Sequence, residues 1–265
     1  MAFQDLKNLV ILITGASSGL GRAIAVETAA RGAKVVVINY ASNRSEAETT
    51  ARLVEREGAT AIIVQGDVAK DADCLKIVEA ARPFGRIDAL FNNAGATVFA
   101  DQAQLDTVSA EDFLRLYSVN VVGAYQMIRA AQTLLEAAPF GVVVNTASVA
   151  GVTGLGSSIP YAASKGALVT MTLSLARSLA PKIRVNAICP GYIDTPWYGD
   201  ALPQETVDAL RLSIAESNPL KVASKAEEIA GAAIFFATPG GRHVTGETLL
   251  ADAGLHLGQA SLAQR

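Results

Sequence analysis

Short, nearly continuous apolar runs alternate along this chain with longer amphipathic stretches. The runs are Leu9–Ile13, Val35–Ile38, Ala61–Val64, Ala89–Phe91, Val142–Val144 and Val185–Ile188. Polar residues do not alternate within them, so they predict strands buried on both faces. Gly21–Ala30, Glu46–Glu57 and Asp71–Ala81 read as helices between strands. On the second of these, Glu46, Glu48, Arg52, Glu55 and Arg56 form an ordinary solvated face, with Ser45 as the expected cap. Strands alternating with helices predict βαβ units, hence an α/β fold with a doubly wound parallel sheet and helices on both faces. No linker, repeat or low-complexity tract breaks the alternation, which predicts one domain over residues 1–265. The one long departure runs from Tyr192 to Asn218, where Pro196, Trp197, Tyr198, Gly199 and Pro203 interrupt the pattern. Ligands of open α/β sheets sit beyond the carboxyl ends of the strands, so this segment reads as a substrate lid. A packed surface loop is the plainer alternative, and Trp197 fits either reading.

Composition narrows the class of protein. The 265 residues are 51% hydrophobic and 18% charged, with 22 Lys+Arg against 25 Asp+Glu. That balance excludes intrinsic disorder and carries no clustered basic footprint for nucleic acid. Cys74 and Cys189 are too few for a disulfide framework and read as reduced thiols of a cytoplasmic protein. The start, MAFQDLKN, lacks a basic leader, and no window approaches a membrane-spanning run. His243 and His256 have no Cys cluster beside them, so no metal site is expected.

The first predicted strand runs into Thr14-Gly15-Ala16-Ser17-Ser18-Gly19-Leu20-Gly21, with a helix directly after it. Gly15 permits a tight turn, Gly19 lets backbone approach a pyrophosphate, and Gly21 allows close helix–sheet packing. Ser17, Ser18 and Leu20 complete this turn. The second strand ends in Asn39-Tyr40-Ala41-Ser42-Asn43-Arg44. A carboxylate there would bind a ribose 2′-hydroxyl; its absence, with Ser42 and Arg44 nearby, favours NADP over NAD. A solvated cation is the bland reading of Arg44. Asp67-Val68 and Asn93-Ala94-Gly95 follow the third and fourth strands, where an adenine and ribose would lie, although each fits an ordinary turn as well.

Tyr161 and Lys165 are spaced to share one helix face. A phenol titrates near pH 10 in water, and an adjacent ammonium with an oxidised nicotinamide favours its ionised form. The pair is therefore a candidate acid/base for a carbonyl or alcohol. Ser148, at the end of the fifth strand, is placed to hydrogen-bond the same oxygen. Tyr-x-x-x-Lys alone is a common surface pattern, so its weight comes from occurring with Ser148 and the glycine turn.

Thr14–Gly21, Asn92–Gly95, Ser148 and Tyr161–Lys165 stand in the order and spacing of the classical short-chain dehydrogenase/reductase family, which the chain resembles from about Asn8 to Leu257. Asn120 in a long helix, Pro190-Gly191 and Thr195 fit the same pattern. The resemblance implies a Rossmann-type domain with a seven-stranded parallel sheet, commonly in a homotetramer. It also implies that Tyr161 is the acid/base, that Lys165 lowers its pKa and binds the nicotinamide ribose, and that Ser148 positions the substrate oxygen. Asn120 would hold a relay water, Asp67 and Val68 would meet the adenine, and Ile193 and Thr195 the carboxamide. The stretch from Thr245 through Gly254 resembles the family's last strand.

Two departures matter. Ser18 stands where many NADPH-using members carry a basic residue. Leu134–Phe140, before the fifth strand, has one acid and no base, unlike reductases that face an acyl-carrier protein, although Arg177 and Lys182 lie elsewhere. The expected activity is an NADP(H)-preferring oxidoreductase acting on a carbonyl or secondary alcohol. A 3-oxoacyl-carrier-protein reductase and a non-catalytic cofactor sensor are the rivals.

Overall fold

The computed structural model describes residues 4–199 and 202–258. Asp200 and Ala201, inside the predicted lid, and both ends of the expected 1–265 domain therefore lie outside the described residues. In chain order the elements are β1 (Val10–Ile13), α1 (Gly19–Ala30), β2 (Val35–Tyr40), α2 (Arg44–Arg56), β3 (Thr60–Gln65), α3 (Asp71–Glu79) and β4 (Ala89–Asn92). The second half has α4 (Ala110–Tyr117), α5 (Ala124–Glu136), β5 (Gly141–Thr146), α6 (Ala150–Thr153), α7 (Ile159–Leu179), β6 (Ile183–Pro190), β7 (Ile193–Asp194), α8 (Pro196–Gly199), α9 (Gln204–Ser217), β8 (Ser224–Lys225), α10 (Ala226–Phe235) and β9 (Thr248–Ala251).

Seven strands form one parallel sheet in the order β3-β2-β1-β4-β5-β6-β9, while β7 and β8 make a separate two-stranded ladder. Every pairing in the large sheet is parallel, for example Ile11 against both Val36 and Ala89. The central strands are buried throughout, as their unbroken Val/Ile/Leu runs require. The edge strand β3 departs from expectation: Thr60 and Gln65 are exposed and Ala61–Val64 only part-buried, because one flank has no neighbouring strand.

Helices cover both faces over two apolar layers. One joins Ile11, Ile13, Ile24, Val36, Phe91 and Phe236; the other joins Leu12, Val37, Ile77, Leu90, Met127 and Val143. Odd and even residues of β1 thus serve opposite layers, the two-residue alternation of a strand with both faces covered. Asp88, buried before β4, accepts hydrogen bonds from Val10 N (2.8 Å) and Arg86 Nε (2.9 Å). Asp88→Ala leaves the Val10 N–H without this acceptor and is expected to cost about 1–3 kcal/mol, measurable as a lower urea midpoint with an unchanged slope.

The cap of α2 lies two residues before the expected Ser45. Asn43 Oδ1 accepts from Glu46 N at 3.2 Å and from Ser45 Oγ, so Arg44 opens the helix instead of preceding it in a loop. An Asn side chain reaches the third helical N–H as readily as a Ser does, and it came earlier in the chain.

Candidate active site

The sheet order reverses between β1 and β4, so the loops after these strands diverge and leave a crevice at their carboxyl ends. A cavity of about 480 Å³ occupies it. One end is built on the glycine turn. Gly15 and Gly19 have φ of +61° and +53°, the left-handed region that glycine enters without strain. A Cβ on Gly21 would lie 2.6 Å from Asn93 Nδ2 and 2.9 Å from Ala16 Cα, and closer still to Gly15 O. Asn93 Nδ2 donates to Thr14 O and Gly15 O, while Thr14 Oγ1 accepts from the N–H groups of Asn93 and Ala94 at 3.0 Å each. The two loops flanking the crevice are therefore latched together.

Ser18 caps α1 through its backbone conformation without a side-chain hydrogen bond, and the first turn has no acid. Its N–H groups and positive helix end are open to an anion lying along Ser17, Ser18, Gly19 and Leu20, which line the cavity. This end fits a dinucleotide pyrophosphate.

Of the other expected cofactor residues, Asn39, Ser42, Asp67, Val68, Asn93, Ala94, Gly95, Pro190, Gly191, Ile193 and Thr195 also line the cavity, along with Gly15. Gly21, Tyr40 and Arg44 do not, nor does Asn120, expected as a catalytic residue. Gly21 is packed beneath the turn, and Tyr40 is buried with its carbonyl accepting from Gly66 N. Arg44 lies on the exposed surface paired with Glu48 at 2.8 Å. Asn39 lines the wall as a brace: Oδ1 accepts from Gly15 N at 3.3 Å and Nδ2 donates to Gly66 O at 3.0 Å, tying together the loops after β1, β2 and β3.

At the other end, β5 delivers Ser148 just past its carboxyl terminus, and α7 presents Tyr161 and Lys165 on one face. Ser158 starts that helix by accepting from Tyr161 N at 3.3 Å, with Pro160 in its first turn. Lys165 is buried, with Nζ donating to Thr146 O at 2.7 Å and lying 5.7 Å from the centre of the Tyr161 ring. Burial pushes the Tyr161 phenol up to about 12, against which the Ser148 hydroxyl pulls it back; burial pulls the Lys165 ammonium down to about 8. The expected lowering joined the Lys165 ammonium to an oxidised nicotinamide, whereas in the protein alone burial makes a phenolate costly and the Ser148 hydroxyl is what offsets it. The direction favours the protonated phenol.

Asn120 sits in a π-helical turn, Ser118–Gly123, between α4 and α5, not in the regular helix expected there. Its Oδ1 accepts from Ala96 N at 2.8 Å, and Nδ2 donates to Ala96 O and to Ser164 Oγ, both at 2.9 Å. Ser164 Oγ donates in turn to Tyr161 O at 2.8 Å. The amide therefore clamps the loop after β4 to the helix that carries Tyr161.

A family model described as enoyl-(acyl carrier protein) reductase matches residues 15–256. The chain belongs to the short-chain dehydrogenase/reductase family. It is an oxidoreductase of that family, NAD(P)-dependent and acting on CH–OH or C=O groups. A Streptomyces violaceoruber protein, assigned as ketoacyl reductase 2 of the granaticin polyketide synthase, is 36% identical over 94% of this chain and 96% of its own length. A Burkholderia xenovorans structure, assigned as a short-chain dehydrogenase/reductase, matches with TM-score 0.86 and 42% identity, covering 95% of this chain and 99% of that one. A Burkholderia cenocepacia short-chain dehydrogenase solved with NADP matches with TM-score 0.85 and 32% identity, covering 95% and 99%. No helix among the described residues is long and apolar enough to cross a membrane.

Sequence reasoning missed several lining residues: Ala96, Val119, Thr146 and Ala147. Thr146 acts through its carbonyl, which no side-chain pattern reveals. Ser164 offered one signal, its place three residues after Tyr161 on the same helix. Trp197 lines the cavity, its ring centre 6.4 Å from that of Tyr161.

Proposed function

We propose that this enzyme is an NADP(H)-preferring reductase of a small carbonyl compound. The observation that carries this reading is the convergence of Ser148, Tyr161 and Lys165 on one wall of a cleft whose far end is a helix N-terminus without a side-chain cap. The cofactor supplies the hydride; the protein supplies orientation, a proton and a fixed electrostatic setting. Ser148 donates a hydrogen bond to the substrate oxygen, and Tyr161 hands its phenolic proton to that oxygen as charge develops there. Lys165, anchored on Thr146 O, stabilises the phenolate left behind and holds the nicotinamide ribose. Asn120 serves the relay through its backbone carbonyl, since its side chain is spent on Ala96 and Ser164.

The preference for NADP is supported by the wall beside the ribose, where Ala41, Ser42 and Asn43 present no acid. The nearby Glu46 is paired with Arg22. Arg44 is held only by an exposed ion pair and is free to turn from Glu48 toward a 2′-phosphate. Arg44→Ala is expected to raise the Kd for NADPH several-fold while leaving that for NADH unchanged; equal effects on both would remove this account. Absorbance assays with NADPH and NADH over ketones, aldehydes and acyl thioesters test the activity directly.

Proton transfer sets the pH dependence. Oxidation of an alcohol needs ionised Tyr161, whose pKa lies above the neutral range, so its rate is expected to rise with pH from 6 to 8 at about tenfold per unit. Reduction needs the protonated phenol and is expected to stay level up to about pH 8, then fall as Lys165, pulled down to about 8, loses the charge that stabilises the phenolate. An oxidation rate that falls with pH would contradict this assignment of the acid.

The name of the Streptomyces relative, a ketoacyl reductase, favours a second reading, a 3-oxoacyl-carrier-protein reductase. A carrier-bound acyl chain turned over far faster than its free thioester would establish it. We read residues 192–218 as a substrate lid on the single domain, since Ile193, Thr195, Trp197 and Tyr198 all reach the cleft. We infer a cytoplasmic homotetramer, supported by the buried free thiols Cys74 and Cys189 and by apolar side chains exposed on α4, α5 and α7: Leu114, Tyr125 and Leu173. Sedimentation equilibrium tests the assembly.

A further inference from the structure

Beyond Tyr161, rings from three separate segments pack together at the carbonyl end of the cleft, and of these Trp197 and Tyr198 line the cavity. Tyr198 of α8 stacks on Tyr192, with centres 4.9 Å apart and planes 28° from parallel. Phe99, from the loop after β4 on the opposite rim, tilts against the same Tyr198 ring at 5.8 Å. Trp197 adds a fourth ring beside Tyr161. Tyr192 points its hydroxyl toward Asp194, but the Tyr198 hydroxyl has no hydrogen-bond partner among the described residues. Tyr198 nonetheless lines the cavity, near enough to Tyr161 for an ionised Tyr161 to oppose ionisation of Tyr198. Among the described residues, Lys165 is the one cation lining the cavity, and Thr146 O already engages it. The one acid among those described residues, Asp67, belongs to the loop after β3, at the cofactor end.

Aromatic surface, one uncommitted phenol donor and no free cation among the described residues define a ligand chemistry. Aromatic walls favour a flat ring by offset or tilted stacking. A phenol that faces the cavity without a protein partner is available to donate to a ligand acceptor. A carboxylate or phosphate entering this end would lose hydration without gaining a countercharge.

We propose that Tyr198 is a specificity-determining residue, stacking a flat, uncharged aryl ketone and donating its phenolic hydrogen to a second oxygen next to the reacting carbonyl. The substrate class is thus a neutral aryl carbonyl compound with a vicinal acceptor, such as an aryl keto ester. The proposal rests on the oxidoreductase reading for the role of the reacting carbonyl; the binding preference itself does not require turnover.

The probes are methyl benzoylformate and butyrophenone, which has similar shape without the second oxygen. Each is titrated calorimetrically into the full chain saturated with oxidised NADP, where no ketone can be reduced. Trp197, the only tryptophan, reports occupancy of this end by its fluorescence. The ester is expected to bind about 10-fold more tightly to the wild type than to Tyr198→Phe, the size of one neutral hydrogen bond. Butyrophenone is expected to bind both equally. Equal ester affinity in both proteins overturns the proposal, as does an equal loss for butyrophenone or no binding of any aryl probe. Adding NADPH separates the two readings: an ester that binds as expected but is not reduced counts against the reductase, while a reduced ester indifferent to Tyr198→Phe counts against Tyr198.

Discussion

Tyr161→Phe is expected to lower kcat by about 10²- to 10⁴-fold, the range that one positioned acid/base contributes, while the Kd for NADPH stays within about twofold. The argument rests on what the substitution removes and what it keeps. The ring, part-buried beside Trp197, keeps its packing, and α7 keeps its cap from Ser158 and its bond from Ser164 to the Tyr161 carbonyl. Only the proton and the hydrogen bond from Ser148 disappear. Phe cannot protonate a developing alkoxide, and Lys165 cannot reach across to replace it while anchored on Thr146 O. Stopped-flow reduction with saturating NADPH measures the chemical step, and cofactor fluorescence measures binding. Near-wild-type turnover would transfer the proton donor to another group; lost cofactor binding would mean that the phenol holds the nucleotide.

The second large effect is expected at Gly21. Its added Cβ would meet backbone, Gly15 O and Ala16 Cα, together with an Asn93 amide already engaged by Thr14 O and Gly15 O. None of these is the free end of a flexible side chain, so the turn itself must shift. Gly21→Ala is therefore expected to cost about 1–3 kcal/mol through overpacking and to lower Tm by several degrees. It should also weaken NADPH by at least about 10-fold, because Gly19 and the first turn of α1 move with Gly15. Unaltered calorimetric affinity with a lowered Tm would separate packing of the helix from shaping of the phosphate site.

The alternation of Val/Ile/Leu runs with amphipathic stretches was enough to predict the parallel sheet, because a strand covered on both faces cannot alternate with polar residues. The glycine turn was legible for a similar reason: Gly15 and Gly19 need positive φ, and Gly21 leaves no room for a Cβ. Tyr161, Lys165 and Ser148 announced themselves as chemistry-bearing types at a helix spacing and a strand end. Other features arose only when distant segments met. Asn39 reads in the sequence as a ribose contact, and in the fold its amide is consumed bracing three loops. Arg44 reads as a phosphate ligand, yet its helix begins at that residue and turns it to Glu48 on the surface. The direction of the Tyr161 pKa depends on how much water the surrounding walls exclude, which a one-dimensional spacing does not contain. The π-turn at Asn120 and the stack of Phe99, Tyr192 and Tyr198 likewise join residues far apart in the chain. Local propensity and periodicity are written along the sequence, while desolvation and the competition for hydrogen-bond partners are set by the three-dimensional neighbours.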